Sequence, residues 1–382
     1  MRTKRSMACG LLVGVLLSEV VAQDSWSAEP ALNPPGPRLE NGRPRGLPLD
    51  ERGLEKYNAG WTLELDNDLL SFGDRDFDYT GGVAVTFAGR RAKEWAFSLD
   101  PVVGLLDPLV PAAALDQSAM PLHSLQVGLI AFTPGDLNNH DPLPLDRPYA
   151  SLLFLANSRT YVTHPAEPVY ETSFTLGVLG LDAAKAIQRG IHTGLDQDRV
   201  PEGWDHQISD GGEPTLRFVW ARQALLASNF EAQATEYELK WRSEVSVGYL
   251  TEASVSLSGR WGVLNTPWWS FSLERADYVS PPAPVVGTAL REGMRELYVW
   301  GGVKLRARAY NAFLQGQFRE SEVEVSSSRI ERLIGEAWLG VTWQFSPTYR
   351  VGYVVRYQTR EIKDGPASRD LVWAGLVFSR DL

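Results

Sequence analysis

The fold class this sequence predicts is all-β: a twelve-stranded antiparallel transmembrane β-barrel with a short helix in an outer loop. Three observations predict it. Long segments alternate apolar with polar residues at period two, and the polar positions carry many charges, which suits a polar lumen and a lipid-facing exterior. Thirteen Trp and thirteen Tyr supply the aromatic girdles that mark two membrane interfaces. An export signal opens the chain, yet nothing after it resembles a transmembrane helix, and mean hydropathy is only -0.20. The competing architecture is a soluble secreted β-sandwich, whose strands also alternate.

The elements follow in order. Residues 1–22 read as a signal peptide: Arg2, Lys4 and Arg5 precede the apolar run LLVGVLLSEVVA, and Val20-Val21-Ala22 offers a small-residue cleavage site. Cleavage there removes Cys9, the single cysteine, so the mature chain is expected to hold neither disulfide nor thiol. Residues 23–58, rich in Pro, Gly and Arg, read as a flexible leader, and the barrel is expected over 59–382. Trp61, Leu63 and Leu65 alternate with Thr62, Glu64 and Asp66 in the first strand. Val83, Val85 and Phe87 continue the pattern and place Thr80, Gly82 and Thr86 on the inner side. The second half alternates most clearly: Tyr237, Leu239, Trp241, Val245 and Val247 interleave with Glu236, Glu238, Lys240, Arg242 and Glu244.

Twelve strands are expected near 60–67, 79–88, 122–133, 149–162, 170–180, 214–226, 234–249, 253–263, 295–309, 332–345, 349–362 and 368–379. An even number returns the C-terminus to the periplasmic side. The connections 68–78, 134–148, 181–213, 250–252, 310–331 and 363–367 should then face outward. The connections 89–121 and 264–294 are long for periplasmic turns and read as insertions. A formal net charge of -10 without a basic cluster argues against nucleic acid as a partner.

Three outward loops gather the polar chemistry. The first carries Asn67, Asp68, Asp74, Arg75, Asp76 and Asp78. It reads either as a solvated acidic loop or as a site for a hard cation such as Ca²⁺, which takes carboxylate, amide and backbone oxygens. Neighbouring Asn67 and Asp68 can serve one site only if the strand ends or bulges there. In the second loop, Asp146 and Arg147 are expected to hold the loop to the rim. The third predicts a helix from an N-cap at Asp182 to Gly194, with Gln188 and His192 four apart on one face. The five histidines (123, 140, 164, 192 and 206) form no HExxH, and there is no G-x-S-x-G elbow. A lone helical His is commonly structural. Its alternative here is a general base at His192, with a nearby carboxylate such as Asp198 and a cation to polarise a carbonyl, parts that suit ester hydrolysis by activated water.

Several pieces, in this order, resemble the LpxR-type lipid A 3′-O-deacylases of the Gram-negative outer membrane. They are Asn67-Asp68; Asp78-Tyr79-Thr80-Gly81-Gly82; Thr133-Pro134; Asp146-Arg147-Pro148-Tyr149-Ala150; Gly177-Val178-Leu179-Gly180; Gln188-x-x-x-His192; and Gly203-Trp204-Asp205-x-Gln207. The resemblance implies a twelve-stranded barrel with its site between the wall and a helix from an outer loop, and a mechanism similar to that of secreted phospholipase A2. It implies that His192 activates the water, that Gln188 fixes the helix or the substrate, that Asp68 with Asn67 holds Ca²⁺, and that Thr80 lines the site. Asp198 falls where the family can have a Glu, as partner of His192, and Asn139 lies near where some members carry a Lys. The implied substrate is lipid A of lipopolysaccharide in the outer leaflet, and a monomer is expected. The competing functions are a passive outer-membrane channel and an outer-membrane phospholipase.

Overall fold

A computed structural model describes residues 39–40, 43–44, 46–71, 78–107, 120–163, 167–182, 203–229, 236–270, 290–291 and 293–382. Twelve strands close into one antiparallel barrel. They are β1 (Gly60–Asn67), β2 (Asp78–Ala88), β3 (Met120–Thr133), β4 (Ala150–Val162), β5 (Val169–Leu179) and β6 (Glu213–Ser228) in the first half. The second half holds β7 (Glu236–Gly248), β8 (Leu250–Val263), β9 (Leu297–Asn311), β10 (Leu333–Gln344), β11 (Tyr349–Gln358) and β12 (Leu371–Asp381). Each pairs with its sequence neighbours, and β12 pairs with β1 through Leu376↔Leu65 and its flanking residues. Full closure leaves no unpaired backbone edge, which a strand in lipid requires. Among the described residues no helix is long and apolar enough to cross a membrane.

All twelve expected strands coincide with observed ones, with ends moved by a few residues. The expected connection at 250–252 is shorter than read: β7 and β8 are separated by Tyr249 alone, with Gly248 turning at φ 139°. The helix expected from Asp182 to Gly194 lies outside the described residues. Three short helices are described: α1 (Arg91–Glu94), α2 (Asp100–Leu106) and α3 (Ala312–Gln315). The side chain of Asn311 caps α3, its Oδ1 accepting the Phe313 N–H at 3.0 Å.

Alternation delivers the charges to the lumen, where they neutralise one another. Arg306 reaches Glu252 at 2.7 Å and Glu336 at 2.6 Å; Arg308 reaches Glu252 at 2.7 Å; Arg356 reaches Glu336 at 2.8 Å. Arg242 meets Glu171 at 2.9 Å, and Arg147 and Arg308 both bind Glu361. Sharing Glu252, Glu336 and Glu361 between guanidinium groups offsets the cost of removing the charges from water. Strands β1 to β12 run alternately between a terminal end, where the start of β1 and the end of β12 lie, and a loop end. At the loop end, aromatic rings close the mouth above this network, with Phe132 and Phe313 centred 5.0 Å apart and Tyr79 and Trp373 5.5 Å apart. At the terminal end Trp268, Trp269 and Leu47 pack against Leu122, Val162 and Val169.

Leu47 belongs to the stretch expected as leader. From Gly46 onward that stretch is docked at particular side chains: Leu47 is buried, and the Glu55 carboxylate accepts the His123 N–H at 2.7 Å and contacts His123 Nδ1 at 2.7 Å. A Pro/Gly-rich composition does not reveal such docking, because the contacts come from a few isolated side chains.

Candidate active site

The site is built on the outer face of the wall at the loop end. Asn67 is the last residue of β1 and stands opposite Ala374 of β12, on the face it shares with Leu65 and Leu63. Its Nδ2 donates to the Thr80 carbonyl oxygen at 2.7 Å. The next residue leaves the strand: Asp68 opens a 3-10 turn over Asp68–Leu70 that packs against β12. Ser71 closes this turn by donating its N–H and its hydroxyl to the Asp68 carbonyl oxygen, at 3.0 and 2.5 Å. Ending the strand here re-aims Asp68, which a continued strand would point to the opposite face from Asn67. Asp68 is 1% exposed.

Thr80 corrects the sequence expectation. Tyr79 pairs with Phe132 and Gly81 with Ala131, so Thr80 is an extra, bulged residue. The bulge turns Tyr79 into the lumen against Phe132 and Trp373. Thr80 goes to the outer face instead of the inner one, its Oγ1 2.7 Å from Thr133 Oγ1. Gly81, at φ 148°, makes the bulge feasible: a Cβ there would lie 2.5 Å from the Asp66 carbonyl oxygen and 3.2 Å from Asn67 Nδ2. Gly81, Ala131 and Ser151 then stand directly opposite one another across β2, β3 and β4, a row of small residues leading away from Asn67.

That row ends at the base of the third loop. The Ser151 hydroxyl lies 2.9 Å from the Leu181 carbonyl oxygen and 3.2 Å from Gln207 Oε1, so one side chain fastens both flanks of segment 183–202. Trp204 is fully buried, 4.8 Å from Tyr149 between ring centres, in a cluster with Leu129 and Leu137, and the Ile208 N–H donates to the Tyr149 carbonyl oxygen at 2.8 Å. Gln188, His192 and Asp198 lie outside the described residues, as do Asp74, Arg75 and Asp76.

Asp146 and Arg147 hold the second loop to the rim, as expected. Asp146 accepts the Gly135 and Arg147 N–H groups, each at 2.8 Å, and Arg147 pairs with Asp78 at 3.3 Å. Arg369, unremarked in the sequence, bridges Asp78 at 2.7 Å and Asp146 at 3.0 Å. Sequence reasoning also assigned no role to Thr133, Ser151, Trp204 or Gln207. Three of them stand in the family-like pieces Thr133-Pro134 and Gly203-Trp204-Asp205-x-Gln207, which was the available signal.

Among the described residues no group of three or more His, Cys, Asp or Glu could hold a metal ion. What Asn67, Asp68 and Thr80 present is a set of amide, carboxylate, hydroxyl and backbone oxygens, with the Asn67 amide oriented by its bond to Thr80. Such hard oxygen donors fit Ca²⁺ rather than a thiophilic or imidazole-seeking metal.

A family model described as outer membrane protein LpxR matches residues 12–382. Among solved structures, LpxR from Salmonella typhimurium is 15% identical with a TM-score of 0.63, covering 85% of this chain and 100% of that one. The β domain of the Bordetella autotransporter BrkA is 8% identical with a TM-score of 0.40, covering 85% and 99%. The KdgM porin is 7% identical with a TM-score of 0.32, also covering 85% and 99%. No curated protein matches.

Proposed function

This chain belongs to the LpxR family of outer membrane proteins, and on that premise we propose that it is a lipid A deacylase, cleaving the 3′-linked acyl or acyloxyacyl ester in the outer leaflet. One observation carries the reading. The paired Asn67 and Thr80 sit on the outer face of the wall, in line with Ser151, which fastens both ends of the segment bearing His192. A site on that face borders the bilayer, so a lipid substrate can approach it without leaving the membrane. A lumen site would serve a soluble solute instead.

In this mechanism His192 takes a proton from water as the water oxygen attacks the acyl carbonyl carbon. Asp198 stabilises the imidazolium, and Gln188 fixes the helix or the ester. The carbon–oxygen bond to the sugar breaks, and His192 returns the proton to the departing 3′ oxygen. The products are a free fatty or acyloxyacyl acid and a 3′ hydroxyl. Asp68 and Asn67 are the residues that would hold Ca²⁺, which supplies charge for the developing oxyanion. Thr80, its hydroxyl fixed by Thr133, lines the same groove.

A passive channel fits less well, because ion pairs such as Arg306 with Glu252 and Glu336, and rings such as Phe132 and Phe313, stand inside the described part of the barrel. Mass spectrometry of lipid A from a Gram-negative host, with and without the protein, tests the proposal. The expected result is a loss equal to the 3′-linked acyl group. Unchanged lipid A together with newly released glycerophospholipid fatty acids would replace the deacylase with a phospholipase.

A further inference from the structure

The connection from β2 to β3 leaves the terminal end of the barrel and folds back against the outer face of the wall. Three outward positions beneath it on β4 are polar where a lipid-facing column should be apolar: Asn157, Arg159 and Tyr161. All three are satisfied by the connection. Asn157 donates to the Ala92 carbonyl oxygen and accepts the Leu99 N–H, both at 2.9 Å. Arg159 grips the Asp100 carboxylate at 2.7 and 2.8 Å and Asp107 at 2.5 Å, and the Tyr161 hydroxyl donates to Asp107 at 2.9 Å. Gly104 lets the guanidinium approach, since a Cβ there would lie 3.0 Å from Arg159 Nη2.

Helix α2 is therefore inverted relative to a helix at a water interface. Its acidic side, with Asp100, Val103 and the adjoining Asp107, faces the protein, while Leu105 stands 78% exposed on the other side. Phe97, just before the helix, is 55% exposed. Water gives no reason to bury carboxylates and display leucine; a lipid surroundings does. The surface is also continuous with the membrane belt. Phe378 and Trp61 lie 5.8 Å apart, Trp61 stands opposite Phe87, and Phe87 to Trp95 to Phe97 continues at 5.1 and 5.3 Å. An aromatic girdle thus runs from the wall onto the connection.

We propose that residues 89–107 form an interfacial foot, which inserts Phe97 and Leu105 at the headgroup–acyl boundary of the phospholipid leaflet at the terminal end. The foot braces the barrel against one leaflet while the loop end addresses the other. This inference rests on membership of an outer-membrane barrel family and not on the deacylase reading.

The single native cysteine makes the test direct. In a full-length C9S background, Leu105→Cys carries an environment-sensitive fluorophore, and Val127→Cys, on the exposed apolar belt, serves as the lipid-facing reference. The protein is reconstituted into phosphatidylethanolamine/phosphatidylglycerol vesicles, with folding verified by heat-modifiable mobility. Acyl-brominated lipid is expected to quench the label at 105 to within about twofold of the label at 127, with iodide in the water phase nearly ineffective. Quenching by iodide and not by bromine would overturn the proposal by placing the foot in water. Quenching by neither would overturn it equally, because another protein surface would then cover the foot. Should Leu105→Cys fail to fold, Phe97→Cys gives the same readout.

Discussion

Asn67 and Thr80 form an irregular part of the wall, and their chemistry depends on that irregularity. Period two placed Thr80 inside; a single bulged residue placed it outside, beside Thr133. The residue types were legible in the sequence, since Asn67, Asp68 and Thr80 stood out in their short pieces. The face was not, because a bulge changes parity at one residue and its signal, Gly81-Gly82, also suits an ordinary turn. His192→Ala is expected to lower the deacylation rate by about 10²- to 10⁴-fold, the usual worth of a general base, with the barrel still heat-modifiable. Rates measured on purified lipid A decide this, and near-normal turnover would remove the base assignment. EGTA should abolish turnover. Asp68→Asn should raise the calcium needed for half-maximal activity by about tenfold, a change of roughly 1.4 kcal/mol in affinity; a calcium titration gives the answer.

The strands were readable as elements because alternation persists for ten residues or more in several of them, long enough to outlast local exceptions. The connections were not. Segment 89–121 read as an insertion, and the contacts of Asn157, Arg159 and Tyr161 reveal that α2 docks on the wall. Burial pushes the Asp100 carboxyl up, but hydrogen bonding and charge from Arg159 outweigh it and hold the group below its ordinary value of 3.8. The sign follows from the lowered value: docking gains its full contribution above that ordinary value and loses it as pH falls through the folded-state one. Hydrogen exchange over 91–107 should stay slow from pH 7 to about 5 and accelerate below about 4. Acceleration beginning near neutrality would instead implicate a different titrating group. At the other end, Ser151→Ala removes one hydroxyl proton that serves two acceptors, costing about 1 kcal/mol at the loop base. Faster proteolysis within 183–202 and reduced turnover, without a lower melting temperature for the barrel, are expected. An unchanged cleavage rate would show that Trp204 and Ile208 hold the loop without help.

At the scale of the molecule, the sequence revealed which charges face inward but not how they pair, since pairing joins residues far apart in the chain, such as Arg242 of β7 with Glu171 of β5. With the lumen cross-linked by guanidinium–carboxylate pairs, the protein should show no conductance steps in a planar lipid bilayer. Porin-like steps would revive the channel reading. The location of Asn67 also bears on how the protein is made. It sits at the seam where β12, the last strand synthesised, zips to β1, the first, and the turn carrying Asp68 leans on that same last strand. An unfinished chain thus lacks one side of the proposed cation cradle. The proposed hydrolysis would then wait on completion of assembly, leaving a nascent or stalled precursor harmless to the lipids it meets on its way to the outer membrane.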